Sequence, residues 1–238
     1  MIGPELRDAL VALLGERVRF DASSARLTSL RVGGPVDALA EPADRRELAA
    51  LLALCARHRT PRRVIGRGFN TVVRDEGLDG VLIRLRRFRA LEERPGALRV
   101  DAGVSHASLT RTCRERGLAG LEFAAGIPGS VGGWLAMNAG VGWREMKDVV
   151  CELEVMSPTG RKRRHLPRER LRLRYRGLRG LAPGSLVLSA LLAVRPAKRE
   201  EVEAEVERLL AERAASQPLD VPSCGSVFKN PPRRFAGQ

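Results

Sequence analysis

The sequence predicts an α+β fold, in which strands and helices follow each other in an irregular order. Four segments have apolar residues at helical spacing, and they lie at 5–16, 43–58, 105–117 and 200–215. Short apolar segments typical of strands lie between them without a regular alternation. Hydrophobic residues make up 44% of the 238 positions, which is enough for a globular chain with a sizeable core.

The helices have recognisable boundaries. Leu6, Leu10, Leu13 and Leu14 form one apolar face of the first. The second begins after Pro42 and ends before Pro61, because proline is excluded from helix interiors. The fourth alternates glutamates with valine and leucine, as expected for a half-exposed helix.

Six segments are predicted to be extended. The last of them is almost wholly apolar, so we expect it to be central in a sheet, and Pro196 ends it. The first is broken by a Gly-Gly-Pro sequence. The six segments are Leu27–Ala40, Arg63–Ile65, Val81–Leu85, Leu98–Ala102, Val149–Met156 and Leu186–Val194.

The formal net charge of +14 has three interpretations: a nucleic-acid-binding surface, a coding bias towards arginine, or a site for polyanionic small molecules. Lysine occurs at only four positions, and no aromatic residues interleave with the basic ones, so we expect no nucleic-acid partner. The four cysteines have no CxxC spacing, which argues against disulfides and against a metal site. Without a signal-peptide pattern or a long apolar run, we expect a cytoplasmic protein that does not insert into membranes.

Two glycine-rich segments are candidates for cofactor binding. Glycine lets backbone N–H groups approach a phosphate, and a surface with little side-chain bulk suits a pyrophosphate and a flat ring. The alternatives are a strand-ending turn for the first and a helix–loop packing turn for the second. Neither contains GxGxxG or a Walker lysine. The candidate residues are Gly66, Arg67, Gly68, Phe69 and Asn70 in the first segment, and Gly126, Ile127, Pro128, Gly129, Ser130, Gly133, Asn138, Ala139 and Gly140 in and after the second.

Two further segments carry polar groups that could take part in chemistry. Tyr175 and Arg176 lie in a basic segment. Its arginines either form a solvated face, or one of them points inward and binds a carboxylate with two hydrogen bonds. Ser226, in the loop Pro222–Pro231, does not lie in a GxSxG motif. It is either part of an ordinary turn or a hydrogen-bond or proton donor.

Taken together and in this order, the motifs resemble those of the MurB family, the UDP-N-acetylenolpyruvoylglucosamine reductases. The resemblance covers about residues 25–238. It rests on these stretches: Thr28–Gly34 (TSLRVGG), Val64–Asn70 (VIGRGFN), Ala125–Gly133 (AGIPGSVGG), Met137–Gly140 (MNAG), Tyr175-Arg176, and Gln217–Pro231 with its GSVFKNP end.

The resemblance implies a flavin-binding fold of the vanillyl-alcohol-oxidase type, with two FAD-binding subdomains at 1–80 and 81–196 and the start of an incomplete substrate-binding domain at 197–238. It implies that NADPH reduces FAD, which then reduces the enolpyruvyl group of a UDP-sugar to give UDP-N-acetylmuramate for peptidoglycan. We expect a monomer. FAD is expected to be non-covalent, because the Gly66–Asn70 loop has no His or Cys.

Carried over by position, Ser226 matches the proton donor and Arg176 the residue that stabilises the enolate-like intermediate. Tyr175, Lys229 and Asn230 match substrate-binding positions. The chain departs from the family pattern at Phe69, at 142–143 and at 177. A catalytic Glu of the family has no counterpart by motif before Gln238, so the alternative is a flavin-binding module without catalysis of its own.

Overall fold

The computed structural model describes residues 2–231 and 236, and it confirms the α+β class. The helices are α1 Pro4–Leu14, α2 Arg45–Arg57, α3 His106–Arg116, α4 Val131–Met137 and α5 Arg199–Ser216. The strands are β1 Val18–Ser23, β2 Pro35–Ala40, β3 Arg62–Ile65, β4 Leu78–Arg84, β5 Leu91–Arg94, β6 Ala97–Asp101, β7 Leu118–Ala119, β8 Gly140–Val141, β9 Arg144–Glu145, β10 Val150–Met156, β11 Arg163–Pro167, β12 Arg172–Arg174, β13 Gly177–Arg179, β14 Leu186–Ala193 and β15 Arg195–Pro196.

The first sheet has the order β1-β2-β4-β3, with β1 antiparallel to β2 and with β4 parallel to both β2 and β3. Helices α1 and α2 contribute apolar side chains to the same core as this sheet, among them Leu10, Leu48 and Leu52. The start of α2 is fixed by Asp44, whose carboxylate accepts hydrogen bonds from the backbone N–H groups of Arg46 and Glu47 at 2.7 and 2.9 Å.

The second sheet is antiparallel throughout and has the order β11-β10-β14-β6-β5. Strand β14 is the middle one, which confirms the central position expected from its apolar sequence. A second core lies on this sheet, and α3 and α4 supply Leu109, Trp134 and Leu135 to it. Helix α5 packs beside α3 through the buried Val202 and Val206, and Glu203 pairs with Arg114.

The structure corrects several details. Strands β1, β5 and β11 were not predicted; β5 and β11 are short edge strands rich in charge, which hides them from apolar-pattern reasoning. The predicted extended segment 27–40 is extended as a strand only from Pro35. The subdomain division at residue 80 stays a prediction; strand β4, which spans that residue, pairs with β2 and β3 as far as Arg84.

Within the described part of the chain, no helix is long and apolar enough to cross a membrane.

A buried charge cluster joins the two sheets. Arg45, at the first position of α2, donates to Glu154 on β10 at 2.7 Å and to Asp101 at the end of β6 at 2.7 Å. Both carboxylates are buried, and the Ser189 hydroxyl of β14 donates to Glu154 at 2.8 Å. One guanidinium therefore satisfies carboxylates on two strands of a sheet to which its own helix does not belong.

The pKa of Glu154 reflects competing effects. Burial acts to raise it, but hydrogen bonds from Arg45 and Ser189, with the charges of Arg45 and Arg163, hold the pKa below its ordinary value. Because the pKa of Glu154 is depressed in the folded state, this carboxylate stabilises the fold at pH values above its ordinary pKa of 4.5. That stabilisation is lost as the pH falls through the folded-state pKa.

Replacing Arg45 should destabilise the whole fold. Arg45→Met removes the cation that hydrogen-bonds both buried carboxylates. Asp101 then has no ion pair in the described part of the chain and Glu154 keeps only Arg163, at 3.4 Å, so the free energy of unfolding at pH 7 should fall by about 3–5 kcal/mol. Denaturant unfolding followed by circular dichroism measures this. Arg46→Met, at the exposed neighbouring position, is the matched control and should change the value by less than about 0.5 kcal/mol. Equal losses in the two variants would show that the cluster does not join the sheets.

Candidate active site

A cavity of about 480 Å³ lies where the loops of the first sheet meet those of the second. One wall comes from the ends of β3 and β4, at 64–67 and 84–86. The opposite wall comes from the segment after β6, from the loop and helix at 130–136, and from residues 178–187. Of the predicted cofactor-binding residues, the cavity lining includes Gly66, Arg67, Ser130 and Gly133.

The other predicted cofactor residues lie outside this lining: Gly68, Phe69, Asn70, Gly126, Ile127, Pro128, Gly129, Asn138, Ala139 and Gly140. Their role in cofactor binding stays a prediction. Conversely, the lining contains residues that were not singled out, notably Arg84, Arg86 and Gly103. Arg84 and Arg86 are two apart at the end of a predicted strand, a spacing that puts side chains on one face and could have indicated them. No sequence signal marked 178–187.

Close contacts between and within the two walls explain why glycine is needed in both. Between the walls, a Cβ at Gly66 would lie 2.7 Å from the Ser130 Oγ. Within the second wall, a Cβ at Gly132 would lie 2.8 Å from the Cβ of Ala102. A Cβ at Gly103 would lie 1.9 Å from the Leu85 carbonyl oxygen. Packing therefore requires glycine at these three positions, and it leaves main chain bordering the cavity.

Backbone hydrogen bonds hold the Gly126–Gly133 segment against the residues that follow β6. The Val131 and Gly132 N–H groups donate to the carbonyls of Val104 and Ala102 at 3.0 and 2.9 Å, and the His106 N–H donates to the Gly129 carbonyl at 3.2 Å. These bonds fix the backbone of one cavity wall relative to the second sheet.

The side chain of Asn138 is already engaged within the protein. Asn138 ends α4 in the left-handed conformation, with φ of 46°. Its amide nitrogen donates to Glu145 at 2.9 Å, and its amide oxygen accepts from the Lys147 N–H at 2.9 Å. The side chain therefore holds the β8–β9 turn onto α4, and any contact of residues 138–140 with a cofactor would come from their backbone.

Positive charge dominates the cavity wall formed by the first sheet. Arg84 and Arg86 face the same acid, Glu41, at 3.8 and 3.4 Å. Burial lowers the pKa of Arg84; the charge of Glu41 opposes this, while Arg86 and Arg67 reinforce it. Three guanidinium groups with one carboxylate among them make a local excess of positive charge, which suits a diphosphate.

The predicted substrate and catalytic residues form a second group, reached by the C-terminal loop. The Tyr175 hydroxyl accepts a hydrogen bond from the Asn230 N–H at 3.1 Å. That bond, followed by the neighbouring Arg176 and Lys229, lowers the pKa of Tyr175. Arg176 has φ of 59°, an uncommon conformation for arginine, in the β12–β13 turn, and it lies 5.6 Å from the Tyr175 ring centroid.

The loop that carries Ser226 is held at two points. The Ser29 hydroxyl donates to the Ser223 carbonyl at 2.5 Å, and Asn230 is held by Tyr175. Between them, Gly225 has φ of 76° and lies against the Phe69 carbonyl oxygen. Ser226 itself is exposed. The fold thus brings the Ser226 loop against both the Gly66–Asn70 loop and the Tyr175–Arg176 turn, which are far apart in sequence.

Within residues 2–231 and 236, no group of three or more His, Cys, Asp or Glu side chains is placed to hold a metal ion.

Comparison with known proteins decides the family. The model of the FAD binding domain matches residues 36–164, more than half of the chain. The chain is 42% identical to UDP-N-acetylenolpyruvoylglucosamine reductase 2 of Symbiobacterium thermophilum, over 93% of this chain and 72% of that protein. It is 41% identical to the reductase of Geotalea uraniireducens, over 95% of this chain and 75% of that protein. The chain belongs to the MurB family.

Solved structures agree. The MurB crystal structure from Thermus caldophilus superposes with a TM-score of 0.79 at 32% identity, covering 92% of this chain and 78% of that one. The pollen protein Phl p 4.0202, a glucose dehydrogenase, superposes with a TM-score of 0.62 at 14% identity, covering 82% of this chain and 44% of that one. The second likeness shows the shared fold alone.

The contact between Gly66 and Ser130 can be tested with a double-mutant cycle. Gly66→Ala should lower the free energy of unfolding by about 1–3 kcal/mol, because its Cβ has no room beside the Ser130 Oγ. Ser130→Ala removes that oxygen, and the remaining Ser130 Cβ is 3.9 Å away, so the double variant should recover most of the loss. If thermal unfolding shows that the destabilising effects of Gly66→Ala and Ser130→Ala simply add in the double variant, the contact with Ser130 is not the reason for glycine at position 66 of this MurB-family chain.

Proposed function

We propose that this chain is a UDP-N-acetylmuramate dehydrogenase, which reduces the enolpyruvyl group of UDP-N-acetylglucosamine enolpyruvate to UDP-N-acetylmuramate with NADPH as reductant and FAD as non-covalent cofactor. The observation that carries the proposal is the position of the Ser226 loop, held between the Gly66–Asn70 loop and the Tyr175–Arg176 turn. The membership in the MurB family supports the same reaction. No observation favours a flavin module without catalysis.

The residues of the cavity fit FAD. Its walls offer three arginines for the diphosphate, main chain beside Gly66, Gly132 and Gly133 for close approach, and apolar side chains for a flat ring, among them Ile65, Leu178 and Leu181. When bound, FAD supplies the hydride that NADPH provides and that adds to the terminal carbon of the enolpyruvyl double bond.

Arg176 is proposed to stabilise the charge that develops on the substrate. Hydride addition at the terminal carbon places a negative charge on the carbon next to the carboxylate and on the carboxylate itself. A fixed guanidinium near this group stabilises the charge more in the transition state than in the substrate. Arg176 lies in a two-residue turn and has a left-handed backbone conformation. Strained backbone positions of this kind cluster at functional sites.

Ser226 is proposed to donate the proton. Its Oγ–H gives a proton to the carbon next to the carboxylate, so that hydride and proton together add two hydrogens across the double bond. A serine hydroxyl is a weak acid, so its position relative to the substrate must be fixed. The tethers at Ser223 and Asn230 provide that restraint on either side of Ser226.

Tyr175, Lys229 and Asn230 are proposed to bind the UDP-sugar. The Asn230 N–H donates a hydrogen bond to the Tyr175 hydroxyl, and the charge of Lys229 helps to lower the pKa of Tyr175, so the three residues are neighbours. An ammonium and a guanidinium on the same side suit the diphosphate or carboxylate of this substrate. The Asn230 side-chain oxygen accepts from the Ala236 N–H at 3.0 Å, so its amide nitrogen is the group proposed to reach the substrate.

The remaining assignments rest on the sequence. We propose a monomer that acts in the cytoplasm, without a nucleic-acid or membrane partner. The two FAD-binding subdomains are proposed to correspond to the two sheets, with the first extended through β4 to residue 84. The segment 197–238 is proposed as the start of the substrate-binding domain; residues 232–235 and 237–238 of it lie outside the described part.

Flavin binding and turnover test the function directly. The purified chain should become yellow on addition of FAD, and NADPH should bleach the flavin absorbance. Addition of UDP-N-acetylglucosamine enolpyruvate should then restore the absorbance and yield UDP-N-acetylmuramate by mass spectrometry. Bleaching without any product would favour the non-catalytic module, and a chain that takes up no flavin would contradict both functions.

Ser226→Ala separates the two half-reactions. Flavin reduction by NADPH should stay within about twofold of wild type, because it needs no proton at the substrate carbon. Reoxidation by the enolpyruvyl substrate should slow by ~10²–10⁴-fold, the usual contribution of a positioned proton donor. Stopped-flow absorbance measures both rates. Val227→Ala, at the exposed neighbouring position, is the control and should leave both rates unchanged. Equal slowing of both half-reactions by Ser226→Ala would remove Ser226 as the donor.

A further inference from the structure

The Thr28–Gly34 segment is a sequence motif to which neither cofactor binding nor substrate binding gives a role. It lies between β1 and β2, and both of its ends are fixed. At the first end, a Cβ at Gly68 would lie 2.0 Å from the Leu27 carbonyl oxygen. At the other end, the Gly34 N–H donates to the Arg74 carbonyl at 2.9 Å. Packing and this hydrogen bond therefore hold the segment against the chain that follows β3.

Ser29, the second residue of this segment, contacts two loops that are far from it in sequence. Its backbone N–H donates to the Gly68 carbonyl at 3.1 Å. Its hydroxyl oxygen lies 2.5 Å from the Ser223 carbonyl oxygen and 3.1 Å from the Gly68 carbonyl oxygen. A hydroxyl has one hydrogen, and Gly68 already accepts from the backbone N–H, so the hydroxyl donates to Ser223. Ser29 thus joins the Gly66–Asn70 loop to the Ser226 loop.

The hydrogen bond from Ser29 acts three residues before Ser226. The Ser223 hydroxyl accepts a hydrogen bond from the Gly225 N–H at 3.2 Å, which closes a turn directly before Ser226. All residues from 217 to 231 are exposed apart from Cys224, which is half-buried. A segment with so few buried contacts depends on its hydrogen bonds for a fixed position. The bond from Ser29 is therefore the main restraint on the first half of the Ser226 loop.

We propose that Ser29 is a positioning residue, which fixes Ser226 relative to the Gly66–Asn70 loop. The inference rests on the proposed function, in which Ser226 donates a proton to the carbon next to the one that receives the hydride. Because the two additions occur on adjacent carbons of one substrate, the proton donor must keep a fixed position relative to the bound flavin. Ser29 provides this, since its backbone holds the loop that borders the cavity and its side chain holds the loop that carries the donor.

A competing explanation is that the Ser29 hydroxyl only adds stability. Ser29→Ala removes the hydroxyl and keeps the backbone bond to Gly68, so the affinity for FAD should stay within about twofold of wild type. Ser29→Thr keeps a hydroxyl on the same carbon. Ser23→Ala is the matched control, because Ser23 is exposed at the end of β1 and its side chain makes no hydrogen bond in the described part of the chain.

Stopped-flow absorbance of the flavin measures the two half-reactions separately. In Ser29→Ala, reduction by NADPH should stay within about twofold of wild type, and reoxidation by saturating enolpyruvyl substrate should slow by about 3- to 10-fold, the effect of losing one hydrogen bond. Ser29→Thr should recover most of this rate, and Ser23→Ala should match wild type. The solvent deuterium isotope effect on reoxidation should rise in Ser29→Ala, because transfer from a displaced donor slows relative to the other steps.

A double-mutant cycle with Ser226→Ala separates positioning from a general loss of stability. Once the Ser226 hydroxyl is absent, its position no longer matters, so Ser29→Ala should slow reoxidation by less than about twofold in that background. Equal slowing in both backgrounds would overturn the proposal, and so would reoxidation of Ser29→Ala at the wild-type rate.

Amide hydrogen exchange at short times tests the restraint without turnover. In Ser29→Ala, peptides from residues 217–231 should exchange faster than in wild type, while Ser29→Thr should resemble wild type. Unchanged exchange in this segment of Ser29→Ala would contradict the inference and leave the proposed function intact. A wild-type chain that binds flavin and forms no product would instead contradict the proposed function, and with it the need to position Ser226.

Discussion

The pairing of Arg45 with Glu154 and Asp101 is the interaction on which the rest of this structure depends. It connects α2, which packs on the first sheet, to two strands of the second, and each carboxylate is buried. A buried ion pair adds little net stability over apolar packing, but it tolerates only one geometry. Asp101 ends β6 immediately before Ala102 and Gly103, which border the cavity. The cluster therefore sets the relative position of the two cavity walls.

That position explains the glycines. Once the sheets are fixed, the loop after β3 approaches the segment before α4 until Gly66 contacts Ser130, and within the second wall Gly132 contacts Ala102. A side chain at Gly66 would force the two walls apart and one at Gly132 would disrupt the second wall, and the same bare backbone is what a dinucleotide needs for close approach. Packing and cofactor binding are thus not competing explanations for these residues, since the first creates the surface that the second uses.

The sequence predicted the α+β class, the four long helices and the central strand, because these carry strong apolar periodicity. Apolar periodicity could not predict the charged edge strands β5 and β11. It also could not predict the ion pair of Arg45 with Glu154, because the two residues are 109 positions apart and no local pattern connects them. At the site, motifs indicated Gly66, Arg67, Ser130 and Gly133 of the lining. Residues 178–187 were missed because they line the cavity through a turn and strand whose sequence resembles ordinary loop and core.

The large positive charge also gains a physical interpretation. Many arginines are paired on the surface, where salt screens them over about 8 Å. Those at the cavity differ: Arg84 and Arg86 share one acid, Glu41, and Arg67 has no ion pair in the described part of the chain. Charges in a concave, partly desolvated site are screened less and raise the local concentration of anions. FAD, NADPH and a UDP-sugar are all polyanions, so the excess of arginine favours the third of the interpretations that the composition allowed, a site for polyanionic small molecules.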